Sequence, residues 1–537
     1  MFEKTILQSN RVIIISLIFI FCQFTLGQDI IYVDITATPG GDGSGWTVAY
    51  KYLQDALVNA NSRSKPLEIR VAQGTYRPDQ SEANPTGTDG MSSTFQLING
   101  VSLLGGFAGV GMPDPDNRDT SNYETKLTGQ LTSIQCYHVV TGSGTDSTAV
   151  IDGFTISDGE ATDMFFLNDR MGGGILNVSG TPVIIDCNFE DNTAMSGGGI
   201  ANWDSNCLIV DCTFTGNFAG QSGAAVASWS CGPIISGCMF YRNVSEFAGG
   251  AISQSLMAED DPLGNTLITK CKFIDNCAWA GGGGIAVSNG IVTVENCSFI
   301  SNSALHPIMP GSVQQGGAIS LSNSLPNRDC RVSCMNCTFT DNYSALMGGA
   351  ISNQQGDLVV KDSILWNDSA TFQGAEIYSF IEDNANVTYT NIEGGWPGTG
   401  NINTNPLFAD ANNYDVHLKS HYGRWDPVQA IWVSDDVNSP CIDAGDPNSD
   451  WTEELWPHGG RINMGAYGGT AEASLSSSNV GNLADLNHDG SVDYFDLDLF
   501  GDKWTIQESL LSQDMDRNGI VDGKDYATFA LNWLWEE

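Results

Sequence analysis

Basic residues are scarce in this chain. Its 537 residues carry 22 Lys and Arg against 63 Asp and Glu, with six His, giving a formal net charge of −41 and a pI near 4.1. A surface this acidic repels phosphate backbones and anionic headgroups, which excludes nucleic acid and acidic membrane surfaces as partners. No second apolar run of spanning length follows the N-terminal one, so no transmembrane segment is expected in the mature chain. Cysteines do not come as an even set either. Of the 14, Cys22 falls in the N-terminal apolar stretch, and the remaining 13 cannot all pair. Mostly free thiols behaving as small core hydrophobes are favoured over a disulfide framework.

At the N-terminus, Lys4 and Arg11 precede an apolar run from Val12 to Phe21, with small Thr25 and Gly27 beyond it. This is the form of a secretory signal peptide over residues 1–28, and it implies a protein that is secreted or attached at the cell surface. Phe19-Ile20-Phe21 before Cys22 lacks the small residue that lipoprotein processing needs. The remaining length has room for two or three domains. Over residues 29–130, Trp46, Ala49, Tyr50, Leu53, Leu57 and Ala60 recur at helical spacing, Leu67 to Ala72 reads as a strand, and Thr94 to Gly109 alternates before a glycine turn. A helix there would cover the open end of a stacked sheet.

From Gly172 to Ile377 the chain repeats itself. Gly-Gly-x-(Ile/Val) or a close variant ends at Ile175, Ile200, Val226, Ile252, Ile285, Ile319, Ile351 and Ile377. Between these lie Cys-x-Phe units at Cys187, Cys212, Cys238, Cys271, Cys297 and Cys337. An asparagine stands five residues after each cysteine: Asn192, Asn217, Asn243, Asn276, Asn302 and Asn342. The basic period is 25 to 26 residues, and the leucine frame of leucine-rich repeats is absent. Such a period with β-branched runs and many glycines marks a solenoid. Three short strands per coil are expected, with the asparagines and cysteines stacked into ladders at the spacing of neighbouring strands.

The Gly-Gly-Ala-Ile and Phe-x-x-Asn signatures resemble the repeats of chlamydial polymorphic outer-membrane proteins and, more broadly, pectate-lyase-like β-helices. Ser439-Pro440-Cys441-Ile442-Asp443-Ala444-Gly445-Asp446 and Ile462-Asn463-Met464-Gly465-Ala466-Tyr467-Gly468-Gly469 resemble the closing segment of a bacterial β-helix family whose members end in varied surface anchors. The expected fold is thus an all-β right-handed parallel β-helix with an N-terminal capping helix, its coils and closing segment spanning 131–472. Residues 473–479 follow as a linker, with Ser474 to Asn479 read as flexible.

The last 58 residues, 480–537, hold one acidic pattern twice. Asp485, Asn487, Asp489, Ser491, Asp493 and Asp496 occupy positions 1, 3, 5, 7, 9 and 12 of a loop with Gly490 at position 6. Asp514, Asp516, Asn518, Ile520, Asp522 and Asp525 repeat it 29 residues later around Gly519. Oxygen side chains at this spacing, with the position-7 carbonyl, wrap a hard cation, so two calcium ions (Ca2+) are expected. A short amphipathic run follows each loop, Leu497 to Trp504 and Tyr526 to Trp533. Aspartate at position 12, the duplication, and the lack of a helix before the first loop resemble a type I dockerin. That resemblance implies a calcium-ordered, small α-helical domain that binds a cohesin-type partner on a scaffold or cell surface. It departs from the family at positions 10 and 11, where Tyr494-Phe495 and Gly523-Lys524 stand in place of Ser-Thr, which makes these four the partner-specificity positions.

Departures from the regular repeat locate insertions, and loops on a rigid scaffold commonly carry function. The first insertion, between Ile252 and Cys271, holds Glu259, Asp260 and Asp261. The second, between Cys297 and Ile319, holds His306; the third, between Ile319 and Cys337, holds Arg328, Asp329 and Arg331. Paired carboxylates would serve a glycoside hydrolase, and carboxylates with a basic residue would serve a polysaccharide lyase. The same residues on exposed loops are also ordinary solubilising groups. Only six basic residues lie between Met171 and Phe380, which is thin for gripping a polyuronate. Trp203 and Trp229, each three residues after its Gly-Gly-x-(Ile/Val) aliphatic, are expected side by side on the outer face, either as a platform for sugar rings or covered by a loop. The reading is a protein that binds or degrades extracellular polysaccharide, with a noncatalytic surface adhesin as the alternative.

Overall fold

The computed structural model describes residues 29–163, 166, 168–256, 264–305, 315–323, 329–478 and 480–537. Short strands run parallel from coil to coil and stack into four sheets of twelve, eleven, ten and eight strands. The first sheet runs from Asp29–Val33 to Ala385–Thr388 and the second from Gly74–Tyr76 to Asn391–Ile392; the third runs from Phe95–Gln96 to Ile377–Ser379. Each regular coil therefore has four strands rather than three. The extra one is a two- to five-residue ladder directly after the asparagine, from Glu160–Ala161 to Ser369–Ala370.

The repeat motifs each have a physical cause. The aliphatics that close Gly-Gly-x-(Ile/Val) share one register in the third sheet, Ile200 opposite Val226 and Ile285 opposite Ile319, and all point into the core. The first glycine of the pair has positive φ, +65° at Gly197. A Cβ there would sit 2.4 Å from the Ile200 carbonyl oxygen, and one on Gly198 would sit 2.5 Å from the Phe218 carbonyl oxygen of the next coil. No other residue fits both places. Phe189, Phe214, Phe240, Phe273, Phe299 and Phe339 stack face to face at 4.6–5.0 Å between successive ring centroids. Rings held at strand spacing turn sheet pairing and core packing into one interaction.

The asparagines form the expected ladder. Asn243 Nδ2 donates to Asn276 Oδ1 at 2.9 Å and to the Phe214 carbonyl at 2.9 Å, while its own Oδ1 accepts from the Asn217 amide and Nδ2. The ladder ends at Asn342, which donates to Asp368 at 2.7 Å. Buried Asp368 faces buried Glu376, leaving one oxygen of each carboxyl without a partner. Burial and the neighbouring charge push Glu376 up to about 11, so it carries a proton at neutral pH. The Cys-x-Phe cysteines are buried and unpaired in their own ladder, as are all other cysteines among the described residues except half-buried, unpaired Cys277. Burial raises the thiols of Cys187, Cys207, Cys212, Cys238 and Cys271.

Helix α1 (Leu53–Ser62) buries Leu53, Ala56, Leu57 and Ala60 on the core end formed by Ile31, Val33, Leu67 and Ile69. At the other end, residues 400–478 form two antiparallel hairpins and turns that fold back along the outside of the second sheet. Ala466 donates to Thr338 Oγ1 at 3.0 Å, Gly465 to the Asp362 carbonyl at 2.8 Å, and Asn296 to the Gly468 carbonyl at 2.8 Å. Outward-facing Ser298, Thr338 and Ile364 are consequently buried, whereas Asn188 and Met239 on earlier coils are exposed. The two closing motifs pair with each other, Met464 to Cys441 and Gly445 to Ile462.

The flexible linker read from Ser474 onward is corrected. Ser474 Oγ donates to the Leu418 carbonyl at 2.6 Å, Leu475 donates to Gly423 at 2.8 Å, Ser476 donates to Pro457 at 2.8 Å, and all three residues are buried. With the Ser474 hydroxyl on a carbonyl and the Ser476 hydroxyl on the Asp443 carboxylate, the segment is a strut, despite a composition that suits a linker.

Candidate functional site

The two acidic loops share their main hydrogen bonds. Asp485 accepts from Asp489 and Gly490; Asp514 accepts from Asn518 and Gly519. Position 12 does double duty. Asp496 Oδ2 accepts from the Asp493 amide at 2.9 Å in a capping box that starts helix α2 (Tyr494–Gly501), while its Oδ1 turns back to Leu486 at 2.7 Å. Asp525 does the same for α3 (Gly523–Leu531), reaching Asp522 at 2.8 Å and Asp516 at 3.0 Å. Aspartate here fills the third helical position, where glutamate or glutamine commonly closes a capping box.

A pseudo-twofold relation shifts residue numbers by 29. The position-8 residue Val492 pairs through its backbone with Leu534 and Trp535 after α3, and Val521 pairs with Thr505 and Ile506 after α2. Phe500 and Phe529 meet across this relation at 5.4 Å, in a core with Val492, Met515 and Val521.

Carboxylate oxygens of Asp514, Asp516 and Asp525 lie within 4.8 Å of one another. Loop one sets Asn487 where loop two has Asp516, giving an amide oxygen in place of a third carboxylate. Burial, followed by the charge of neighbouring aspartates, holds Asp485 and Asp514 above the usual carboxylate range. Convergent hard oxygens at this spacing suit a divalent cation of calcium's size and flexible coordination. Asp489, Asp493, Asn518 and Asp522 occupy the remaining side-chain positions of these turns, with Ser491 and Ile520 at the carbonyl position. Tyr494 and Phe495 are 78% and 71% exposed, and Lys524 is also open to solvent. At Gly523 an added Cβ would meet nothing, so each of these four positions is uncovered.

Glu259, Asp260, Asp261, His306 and Arg328 lie outside the described residues. Asp329 is exposed, and Arg331 opens a first-sheet strand beside Asp357, 3.8 Å from its carboxylate. Trp203 and Trp229 do stand side by side, their rings 5.9 Å apart. Trp229 is only 8% exposed and Trp203 half-buried, packed with Met171, Leu176 and Ala227, so the pair is no open platform.

Sequence reasoning missed a cluster on the second sheet. Arg242 lies 4.6 Å over the Tyr241 ring and 3.5 Å from Asp275, which also accepts from the Tyr414 hydroxyl at 3.1 Å. One coil on, exposed Lys272 stands 6.0 Å from the Tyr467 ring, with Lys270 nearby. Beneath Tyr467, stacked at 3.6 Å, fully buried His417 is held between Asp415 at 2.5 Å and Glu472 at 3.2 Å. Burial opposes its charge, yet those two hydrogen bonds raise His417 above the ordinary imidazole value. Its two partners stay below theirs despite desolvation. Three of the six basic residues between Met171 and Phe380 thus gather among three tyrosines, an arrangement able to hold a chain of sugars bearing hydroxyls or acid groups. The available signal was that Arg242, Lys270 and Lys272 flank Cys-x-Phe units on adjacent coils.

The right-handed beta helix region model matches residues 135–299. The chain is a right-handed parallel β-helix. A Chlamydia polymorphic membrane protein repeat matches 336–354, and a model described as disaggregatase related matches 368–445. Among solved structures, this β-helix is similar to pectate lyase Pel9A at 12% identity, covering 82% of this chain and 97% of the other with a TM-score of 0.47. A rhamnogalacturonan lyase aligns at 11% identity over 77% and 96% of the two chains, with a TM-score of 0.40. No curated protein matches the sequence. No helix among the described residues is long and apolar enough to cross a membrane.

Proposed function

We propose that this is an exported β-helix protein that holds or cuts extracellular polysaccharide, attached to a cohesin-type partner through a C-terminal module ordered by two calcium ions. The observation that carries the reading is the doubled oxygen loop, whose two copies share their main hydrogen bonds and end in paired capping boxes. Asp485, Asn487, Asp489, Asp493 and Asp496 would hold one ion with the Ser491 carbonyl; Asp514, Asp516, Asn518, Asp522 and Asp525 would hold the other with that of Ile520. Bound calcium would offset the repulsion among these carboxylates and fix both helices. Tyr494, Phe495, Gly523 and Lys524 then present the partner-facing surface.

For the glycan, the surface in best view is the tyrosine and cation cluster around Lys272 and Arg242. Its charges are held in place by ion pairs and ring contacts, which favours binding over proton transfer and favours the adhesin reading. Calorimetry on the whole chain should find two calcium ions. Screening on pectin, alginate and neutral glycans for unsaturated or reducing ends decides between enzyme and adhesin. Lys272→Ala with Arg242→Ala should weaken retention on whichever glycan binds by about tenfold, as loss of two charge-assisted contacts implies; unchanged retention would clear that face.

A further inference from the structure

The module does not hang free. Position 4 of each loop, His488 and Arg517, has positive φ (59° and 57°), so both side chains leave their turns in related directions. Both reach the closing segment of the β-helix. His488 Nε2 lies 3.1 Å from the Thr452 carbonyl oxygen, and its ring packs edge-on against Trp451 at 5.1 Å and His458 at 5.2 Å. Arg517 donates to the Trp456 carbonyl, and its guanidinium lies 5.0 Å over the Trp432 ring. Between module and β-helix is a cavity of about 320 Å³, lined in part by Glu453, Trp456 and the position-1 aspartates Asp485 and Asp514. Position 1 of each loop therefore borders the seat, and the exposed Tyr494 and Phe495 are not among the residues that line it.

We propose that calcium occupancy locks the module onto the β-helix through these two side chains, making the seat a calcium-dependent internal interface. The proposal rests on the calcium reading of the loops. Position 4 supplies no ligand, yet its backbone angle and aim are set by the wrapped loop. Without the ion, like-charged aspartates spread the turn and both contacts lose their geometry. Linkage makes the effect reciprocal: docking must raise calcium affinity by the factor that calcium strengthens docking.

The test uses the full chain and calcium alone as the probe. Asparagine tolerates positive φ and is too short to reach Thr452 or Trp456, so His488→Asn with Arg517→Asn removes the clamp without straining the turns. In the native protein, amide exchange over residues 451–458 should be slow with calcium and at least tenfold faster after chelation, while peptides of the Asn217–Asn302 coils stay protected. The double variant should still take up two ions, about tenfold more weakly, and should exchange fast at 451–458 with or without calcium. Uptake of two ions with exchange at 451–458 indifferent to calcium, or a variant binding as tightly as the native chain, would overturn this proposal alone. Absence of calcium uptake would overturn the calcium reading and this proposal with it.

Discussion

Replacing Glu376 by glutamine should stabilise the protein at neutral pH, although it alters a buried hydrogen-bonded group. Glu376 caps the asparagine ladder opposite Asp368, and both carboxyls are almost wholly removed from water. Two carboxylates cannot both ionise there, so a proton is retained on the pair. Its folded value lies far above the ordinary 4.5 of an unfolded glutamate. Between those values the folded chain binds more protons than the unfolded one, so stability falls as pH rises; the contribution is complete below about 4.5 and is lost as pH climbs toward the folded value. Holding the proton at pH 7 against an ordinary value of 4.5 spans 2.5 pH units, or about 3 kcal/mol. Glutamine keeps the shape and the donor without that cost. Urea titrations from pH 5 to 9 should show the midpoint of Glu376→Gln above that of the native protein by an amount that grows with pH. A variant with a lower midpoint at pH 8, or one whose pH slope matches the native slope, would refute the shared-proton account.

Asn243→Ala leaves two donors and two acceptors unmatched in the core and should cost about 3 kcal/mol, measured by the same titrations; a loss under about 1 kcal/mol would mean that water replaces the amide. Asp525→Ala removes both an expected ligand and the partner of the α3 cap, so calorimetry should count one calcium ion in place of two and far-UV dichroism should show lost helix. Of the 13 cysteines beyond residue 28, only Cys277 is not fully buried. Maleimide labelling of the native protein followed by mass spectrometry should therefore modify at most that one, and modification of Cys212 or Cys238 would contradict the closed core.

The ladders were legible because one station in each coil must carry one residue type: Ile200 and Val226, Cys212 and Cys238, Asn217 and Asn243 are fixed by what stacks above and below them. The fourth strand was not, since two-residue bridges such as Val244–Ser245 and Cys277–Ala278 have no apolar pattern to betray them. The two acidic turns and the helix starts that follow them were readable to the residue, being local in sequence. The cluster around Lys272 was not, because it is completed by Tyr414, His417 and Tyr467, folded back from a segment 139 or more residues away. Serines 474 and 476 misled for a related reason: composition records polarity, and only the packed segment reveals that the hydroxyls are taken by the Leu418 carbonyl and the Asp443 carboxylate.

A stack of parallel strands has two raw ends, and each end here is finished by its own chain. At the start, the amide and carbonyl of Tyr32 are taken by Gly43 and Tyr50; at the finish, Ile402 donates to Thr390 and accepts from Ile392. With the opening edge of the first sheet and the closing edge of the second consumed, a second molecule finds no free backbone to pair with at those two places, which narrows the route by which stacked strands become fibres. It also sets where the protein can lengthen. A coil added between the Asn217 and Asn243 rungs would meet the same neighbours as any other, whereas one added at either end would have to displace its cover. Growth of such a molecule is growth from the middle, and the distance between its first strand and its C-terminal seat is set by the number of rungs.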